Sequence, residues 1–263
     1  MRTIPFVKAS ACGNDFLLID GGLAPQDVAA FTRRICDRHE GVGADGVEWM
    51  FRHFSADVEI RLINSDGSAA EISGNGTRCV AAYVCSQQGK ERVSILTGAG
   101  LKICSLTARR DNEYEFEADM GEAGVEPELK LALSGGELRG IPVSMGNPHF
   151  VIFVPDFPPH WQARSAEIQR NARFPQGVNV VWVAPAGTKH DLKIRIFERG
   201  AGETRSSGTG SCSSAVAAIA AGHAKSPVKV QAPGGVQTVR LEGTKIFLRG
   251  PARLVCQGEF FVS

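Results

Sequence analysis

The chain has 263 residues, with 29 Lys or Arg against 28 Asp or Glu and a formal charge of +1. So even a balance leaves no basic patch for nucleic acid and no charged tail, and points to a small-molecule partner instead of nucleic acid. Hydrophobic residues make up 43% and charged residues 22%, as in a soluble globular protein long enough for one large domain or two ordinary ones.

The opening residues, MRTIPFVKAS, lack the apolar core of a signal peptide. The longest apolar stretch, residues 215–221, is too short to cross a bilayer, so no membrane contact is expected. The seven cysteines (Cys12, Cys36, Cys79, Cys85, Cys104, Cys212 and Cys256) are odd in number, irregularly spaced and without a C-x-x-C pair. Reduced thiols in a cytoplasmic protein are expected, and neither a disulfide framework nor a zinc site.

In chain order, the short apolar run at residues 16–19 predicts a buried strand, and residues 26–39 a surface helix. Residues 58–63 alternate charged and apolar side chains, as a half-buried strand does. A turn rich in Gly, Ser and Asp follows, and a Ser-Gly-x-Gly step then opens a segment of small apolar residues suited to a buried helix. Residues 93–96 and 113–118 read as strands, and residues 120–127, rich in Gly, Pro and Glu, as a linker. The same series returns, with strands at 150–154, 192–197, 229–231 and 245–248 and a helix at 159–171. A last strand at 258–262 is expected to rejoin the first half.

That return is an internal repeat. Ile60, Arg61, Ser73, Gly74 and Gly76 recur 134 positions later as Ile194, Arg195, Ser207, Gly208 and Gly210. CGNDFLLI from Cys12 recurs 133 positions on as MGNPHFVIF from Met145, so both motifs keep order and spacing. The expected architecture is mixed α/β (α+β), with two similar domains related by a pseudo-twofold. Residues 1–121 with the strand 254–263 form one, and residues 122–253 the other.

A helix start carries unpaired N–H groups and a partial positive charge, and glycines let a carboxylate approach them. The corners at 73–76 and 207–210 are each such a seat, or else ordinary turns with serine caps. If the two halves face each other, both seats converge on one anion, flanked from opposite sides by Ser73 and Ser207. Inverting a carbon that bears a hydrogen needs one group to take the proton and another to return it from the far face. N–H groups holding the carboxylate stabilise the developing carbanion.

At these residues the sequence resembles the diaminopimelate epimerase family. The segments that carry the likeness are ACGNDFLLID, RHEGVGADGV, RLINSDGSAAEISGNGTRC, SMGNPHFVIFV, RFPQGVNVVWV and ERGAGETRSSGTGSC, which together span nearly the whole chain. The resemblance implies two domains, each a curved, mostly antiparallel sheet around a central helix. It implies an isomerase that interconverts LL- and meso-diaminopimelate by a two-base reaction in lysine biosynthesis, without pyridoxal phosphate, metal or other cofactor, and a homodimer. Matched position by position, Asn14, Asn64, Asn179 and Arg199 hold the distal end of the substrate, the arginine buried against its carboxylate. Glu198 and Asn147 receive the ammonium group or complete the pocket. Gly74, Asn75, Gly208 and Thr209 seat the reacting carboxylate, and His149 and Glu198 partner the two catalytic side chains.

One departure bears on the chemistry. The family carries cysteines as its proton carriers, and the matching residues here are Ser73 and Ser207. A thiol titrates at about 8.5 and a hydroxyl far above that, a difference on the order of 10 kcal/mol in basicity. Cys79 and Cys212 lie beyond their serines by more than a helical turn and do not substitute. Three accounts stay open: hydroxyls activated by a base such as His149 or a carboxylate, altered chemistry or substrate, or Cys-to-Ser replacement. A racemase or lyase of the same fold acting on another amino acid, or a member that binds an amino acid without turning it over, are the alternatives.

GVGADG at residues 41–46 fits the dinucleotide pattern but follows a helical stretch and not a strand, which argues against that use. His39, His53, His160, His190 and His223 lack ligand spacing and read as surface or structural residues.

Overall fold

The computed structural model describes residues 2–187 and 191–262. It forms two compact units, one from the chain up to Ala118 together with the segment from Gly250 onward, the other from Asp119–Arg249. His190 lies outside the described residues.

The first unit contains β1 (Arg2–Ala11), β2 (Asn14–Asp20), α1 (Val28–Cys36), β3 (Gly46–Phe51), β4 (Val58–Asn64) and β5 (Ala69–Ala70). After these come α2 (Gly74–Gln88), β6 (Arg92–Thr97), β7 (Gly100–Arg110) and most of β8 (Glu113–Glu122). The second contains β9 (Gly124–Val125), β10 (Leu129–Leu133), β11 (Gly136–Ser144), β12 (Pro148–Phe153), α3 (Trp161–Gln169), β13 (Asn179–Pro185), β14 (Leu192–Glu198) and β15 (Gly202–Thr204). It continues with α4 (Gly208–Ala220), β16 (Val228–Ala232), β17 (Gly235–Glu242) and the start of β18 (Lys245–Val262), whose remainder belongs to the first unit.

The pairing in the two units follows one plan. In the first, β1–β2 is antiparallel, β2–β3 parallel, β3–β4 antiparallel, β4–β6 parallel, and β6–β7 and β7–β8 antiparallel. In the second, β11–β12, β12–β13, β13–β14, β14–β16, β16–β17 and β17–β18 repeat that series in the same order. The registers match as well. Trp49 stands opposite Arg61 and Trp182 opposite Arg195. In the first unit β18 pairs with both β8 and β1, so the sheet closes on itself.

Each unit has an inner and an outer core. The inner core of the first packs α2 against Phe16, Leu18, Ile60, Leu62, Val93, Ile95 and Phe116. That of the second packs α4 against Val151, Val181, Ile194, Ile196, Val228 and Val239. Both central helices are rich in small residues, α4 almost wholly so. Ser213 and Ser214 remain compatible with this burial because their hydroxyls donate back to the Gly210 carbonyl at 3.0 and 2.7 Å. The outer cores lie under α1 and α3 and centre on Trp49 and Trp182. Every fully buried large apolar side chain contributes roughly 1.5–3 kcal/mol.

The expected strands and helices are present, with longer strands and shorter helices than periodicity implied. One expectation is corrected. Residues 120–127 are not a free linker: β8 runs through Glu122, and β9 pairs Gly124 and Val125 with Ser144 and Val143. Backbone pairing overrides the Gly- and Pro-rich composition there.

Candidate functional site

Ser73 caps α2 from an extended backbone, and its Oγ accepts the Gly76 N–H at 3.1 Å. Ser207 caps α4 in the same way, accepting the Gly210 N–H at 3.2 Å. These bonds use one first-turn donor of each helix. The N–H groups of Gly74 and Asn75, and of Gly208 and Thr209, are by helix geometry donors with no partner within the helix. Each corner thus presents a serine side chain beside two aimed N–H groups at a positive helix end.

In the first unit the corner is braced by a polar chain. Asn75 Nδ2 donates to Asn14 Oδ1 at 2.6 Å, and Asn14 Nδ2 donates to Asp45 Oδ2 at 3.0 Å. The buried Arg78 donates to Asn75 Oδ1 and to the Pro251 carbonyl. Asp15 joins the Asp45 side through Arg38, which bonds both carboxylates at 2.7 and 2.8 Å, and is itself paired with Lys8 at 3.0 Å. Hydrogen bonds and charges from Arg38 and Lys8 hold the Asp15 carboxyl below its ordinary range against the opposing effect of burial, the largest single influence. Asn64, at the end of β4, is turned to Ser68 Oγ at 3.0 Å. The structure therefore joins Asn14, Ser73, Gly74 and Asn75, and leaves Asn64 bonded within its own turn.

The second unit joins a longer series. His149 Nδ1 lies 3.0 Å from the Asn147 carbonyl, while His149 Nε2 and Asn147 Oδ1, both buried, have no partner among the described residues. Burial pushes the imidazole down to about 4. His149 stands in register with Asn179, whose Oδ1 accepts the Arg199 N–H at 2.9 Å. Burial raises the neighbouring Glu198 carboxyl, against the lowering effect of the Ser207 and Thr204 hydroxyls. Ser207 Oγ is 3.5 Å from Thr209 Oγ1, and a Cβ on Gly208 would lie 3.1 Å from Leu248. Asn147, His149, Asn179, Glu198, Ser207, Gly208 and Thr209 thus form one neighbourhood.

Arg199 departs from expectation. It is exposed, not buried, and its guanidinium donates to the Gln176 carbonyl at 2.8 Å. Without a carboxylate to pair with, a guanidinium is better solvated at the surface.

Three residues were missed in the sequence. Asp45 and Arg78 orient Asn14 and Asn75 and are named only by the fold. Glu48 is fully buried in β3 with neither carboxyl oxygen bonded among the described residues, and burial raises its carboxyl to about 8. Its signal was legible: a lone acid between Val47 and Trp49 in an apolar strand. Among the described residues no three His, Cys, Asp or Glu side chains converge as a metal set.

The model of the diaminopimelate epimerase family matches residues 6–125 and 141–255. A diaminopimelate epimerase of Pelotomaculum thermopropionicum is 36% identical over 97% of this chain and 98% of its own length. That of Elusimicrobium minutum is 37% identical over 97% and 98%. Among solved structures, a PhzF-family phenazine biosynthesis protein of Bacillus anthracis superposes with a TM-score of 0.74 at 17% identity, covering 100% of both chains. A hydroxyproline epimerase of Agrobacterium vitis, with trans-4-hydroxy-L-proline bound, has a TM-score of 0.69 at 18% identity over 99% and 91%. At such identities these two likenesses speak for the fold alone.

Proposed function

Because the chain belongs to the diaminopimelate epimerase family, we propose that it inverts the α-carbon of an amino acid, interconverting LL- and meso-diaminopimelate without a cofactor. The observation that carries this reading is the duplicated serine-capped helix start. In this reading Ser73 and Ser207 exchange protons with opposite faces of one carbon. The N–H groups of Gly74, Asn75, Gly208 and Thr209 hold the reacting carboxylate and the charge that develops on it. Glu198 assists Ser207, His149 assists proton movement as a neutral imidazole, and Asn14, Asn64, Asn147, Asn179 and Arg199 bind the rest of the substrate. Arg199 swings from the Gln176 carbonyl onto the distal carboxylate, a stronger bidentate partner. A homodimer in the cytoplasm completes the reading on the strength of the family likeness.

The test is incorporation of solvent deuterium at the α-carbon of diaminopimelate. The expected result is exchange with inversion by the native chain, and faster exchange by Ser73→Cys/Ser207→Cys. No exchange by either form refutes the substrate assignment. The paired hydroxyls favour one rival, an amino-acid binder without turnover, and tight diaminopimelate binding by calorimetry with no exchange selects it.

A further inference from the structure

The two serine corners are equivalent, but the strands behind them are not. Glu48 stands opposite Leu62 in the first unit, and Val181 stands opposite Ile196 in the second. Val181 belongs to the apolar core around α4, so Glu48 occupies the corresponding place beside α2. A Cβ on Gly76 would lie 2.0 Å from Glu48 Oε1 and 3.3 Å from Ser73 Cβ. The carboxyl and the serine side chain therefore flank one point in the first turn of α2. The carboxyl is wholly buried and neither oxygen has a partner among the described residues. An apolar residue is the stable choice here, as the other half demonstrates, and such local departures cluster at functional sites.

We infer that Glu48 is the proton acceptor that serves Ser73, a positioning residue acting through the hydroxyl and not on the substrate. The inference rests on the two-base reading above. As Ser73 Oγ forms a bond to the substrate α-hydrogen, the hydroxyl's own proton passes to the Glu48 carboxylate, directly or through one water. The electron pair of the broken C–H bond stays on the substrate carbon. In the return direction Glu48 gives its proton back to Oγ as Oγ protonates the carbon. Charge is conserved, and Ser73 never has to persist as an alkoxide. A carboxylate titrating near about 8 is also the stronger acceptor beside an imidazole titrating near about 4.

The charged groups on the elements around β3 are otherwise engaged. Asp15 pairs with Lys8 and Arg38, and Glu59 with Arg61. Asp20 accepts the Gly22 N–H, and Arg33 and Arg34 donate to the Asp66 and Phe261 carbonyls. On α2, Arg78 is bound to Asn75, and burial holds the Cys79 thiol protonated.

The experiment measures α-hydrogen exchange between about pH 6 and 9 in four proteins: the native chain, Glu48→Gln, Ser73→Cys and Ser73→Cys/Glu48→Gln. The native rate should rise with pH and level off above about 8, and Glu48→Gln should lose about 100-fold and that rise with it. In the Ser73→Cys background, where the thiol ionises by itself, Glu48→Gln should cost less than about 10-fold. Circular dichroism and thermal melting confirm folding, with Glu48→Leu as the second variant should Gln disturb it. Exchange undiminished by loss of Glu48, or a loss equally large in the Ser73→Cys background, overturns the inference alone. Absence of exchange in all four proteins overturns the reading beneath it as well.

Discussion

At Ser73 and Ser207 a single hydroxyl both caps a helix and, in the proposed function, moves a proton. The two uses are compatible, because the cap needs only a lone pair while proton exchange works through the O–H. What the sequence could not convey was the company these serines keep. The repeat itself exposed both corners, since its signal is local and doubled. Glu48 left a local signal, a lone acid in an apolar run, but its role could not be read until the helix it faces was known. Its burial leads to a stability prediction. Below about 4.5 the carboxyl is protonated in both folded and unfolded chains. As pH rises towards about 8 the unfolded chain releases that proton first, so stability falls across this window by an amount on the order of 5 kcal/mol. His149 acts oppositely: its pKa is lowered from 6.5 to about 4, so its contribution is lost as pH falls through that range. Urea unfolding across pH should therefore show Glu48→Leu removing the alkaline decline and His149→Gln flattening the acid limb. An unchanged alkaline decline in Glu48→Leu would contradict the burial argument.

At the scale of elements, periodicity was sufficient for strands with one buried face and for the amphipathic α1. It failed where backbone pairing outweighs composition, as in β9 and the end of β8. It also failed to anticipate the length of β18, which serves both units. The glycines of GVGADG show how a motif acquires its meaning from packing. A Cβ on Gly41 would lie 2.4 Å from the Arg34 carbonyl and 2.6 Å from that of Ile35, and Gly43 has φ of 77°. The segment closes α1, with Val42 N–H donating to the Ile35 carbonyl at 2.8 Å, and brings Asp45 to Asn14. Gly41→Ala should destabilise the protein by about 1–3 kcal/mol, because the obstructing atoms are backbone. Chemical denaturation measures this, and a change below about 0.5 kcal/mol would show that the turn yields.

At the scale of the molecule, duplication gives two units with strand pairing in the same order and two equivalent helix starts, yet the residues around those starts differ. One carries Glu48 and the Asn14–Asn75 chain, the other His149 and Glu198. In the proposed function, the two faces of the substrate carbon would therefore meet serines in different surroundings. The most direct test follows each face separately. Solvent deuterium incorporation would be recorded for LL- and meso-diaminopimelate with Ser73→Ala and with Ser207→Ala. Both variants should lose inversion, and each should retain residual exchange into a different epimer, the one whose hydrogen faces the surviving serine. Continued inversion by either variant, or exchange into the same epimer by both, would contradict the account.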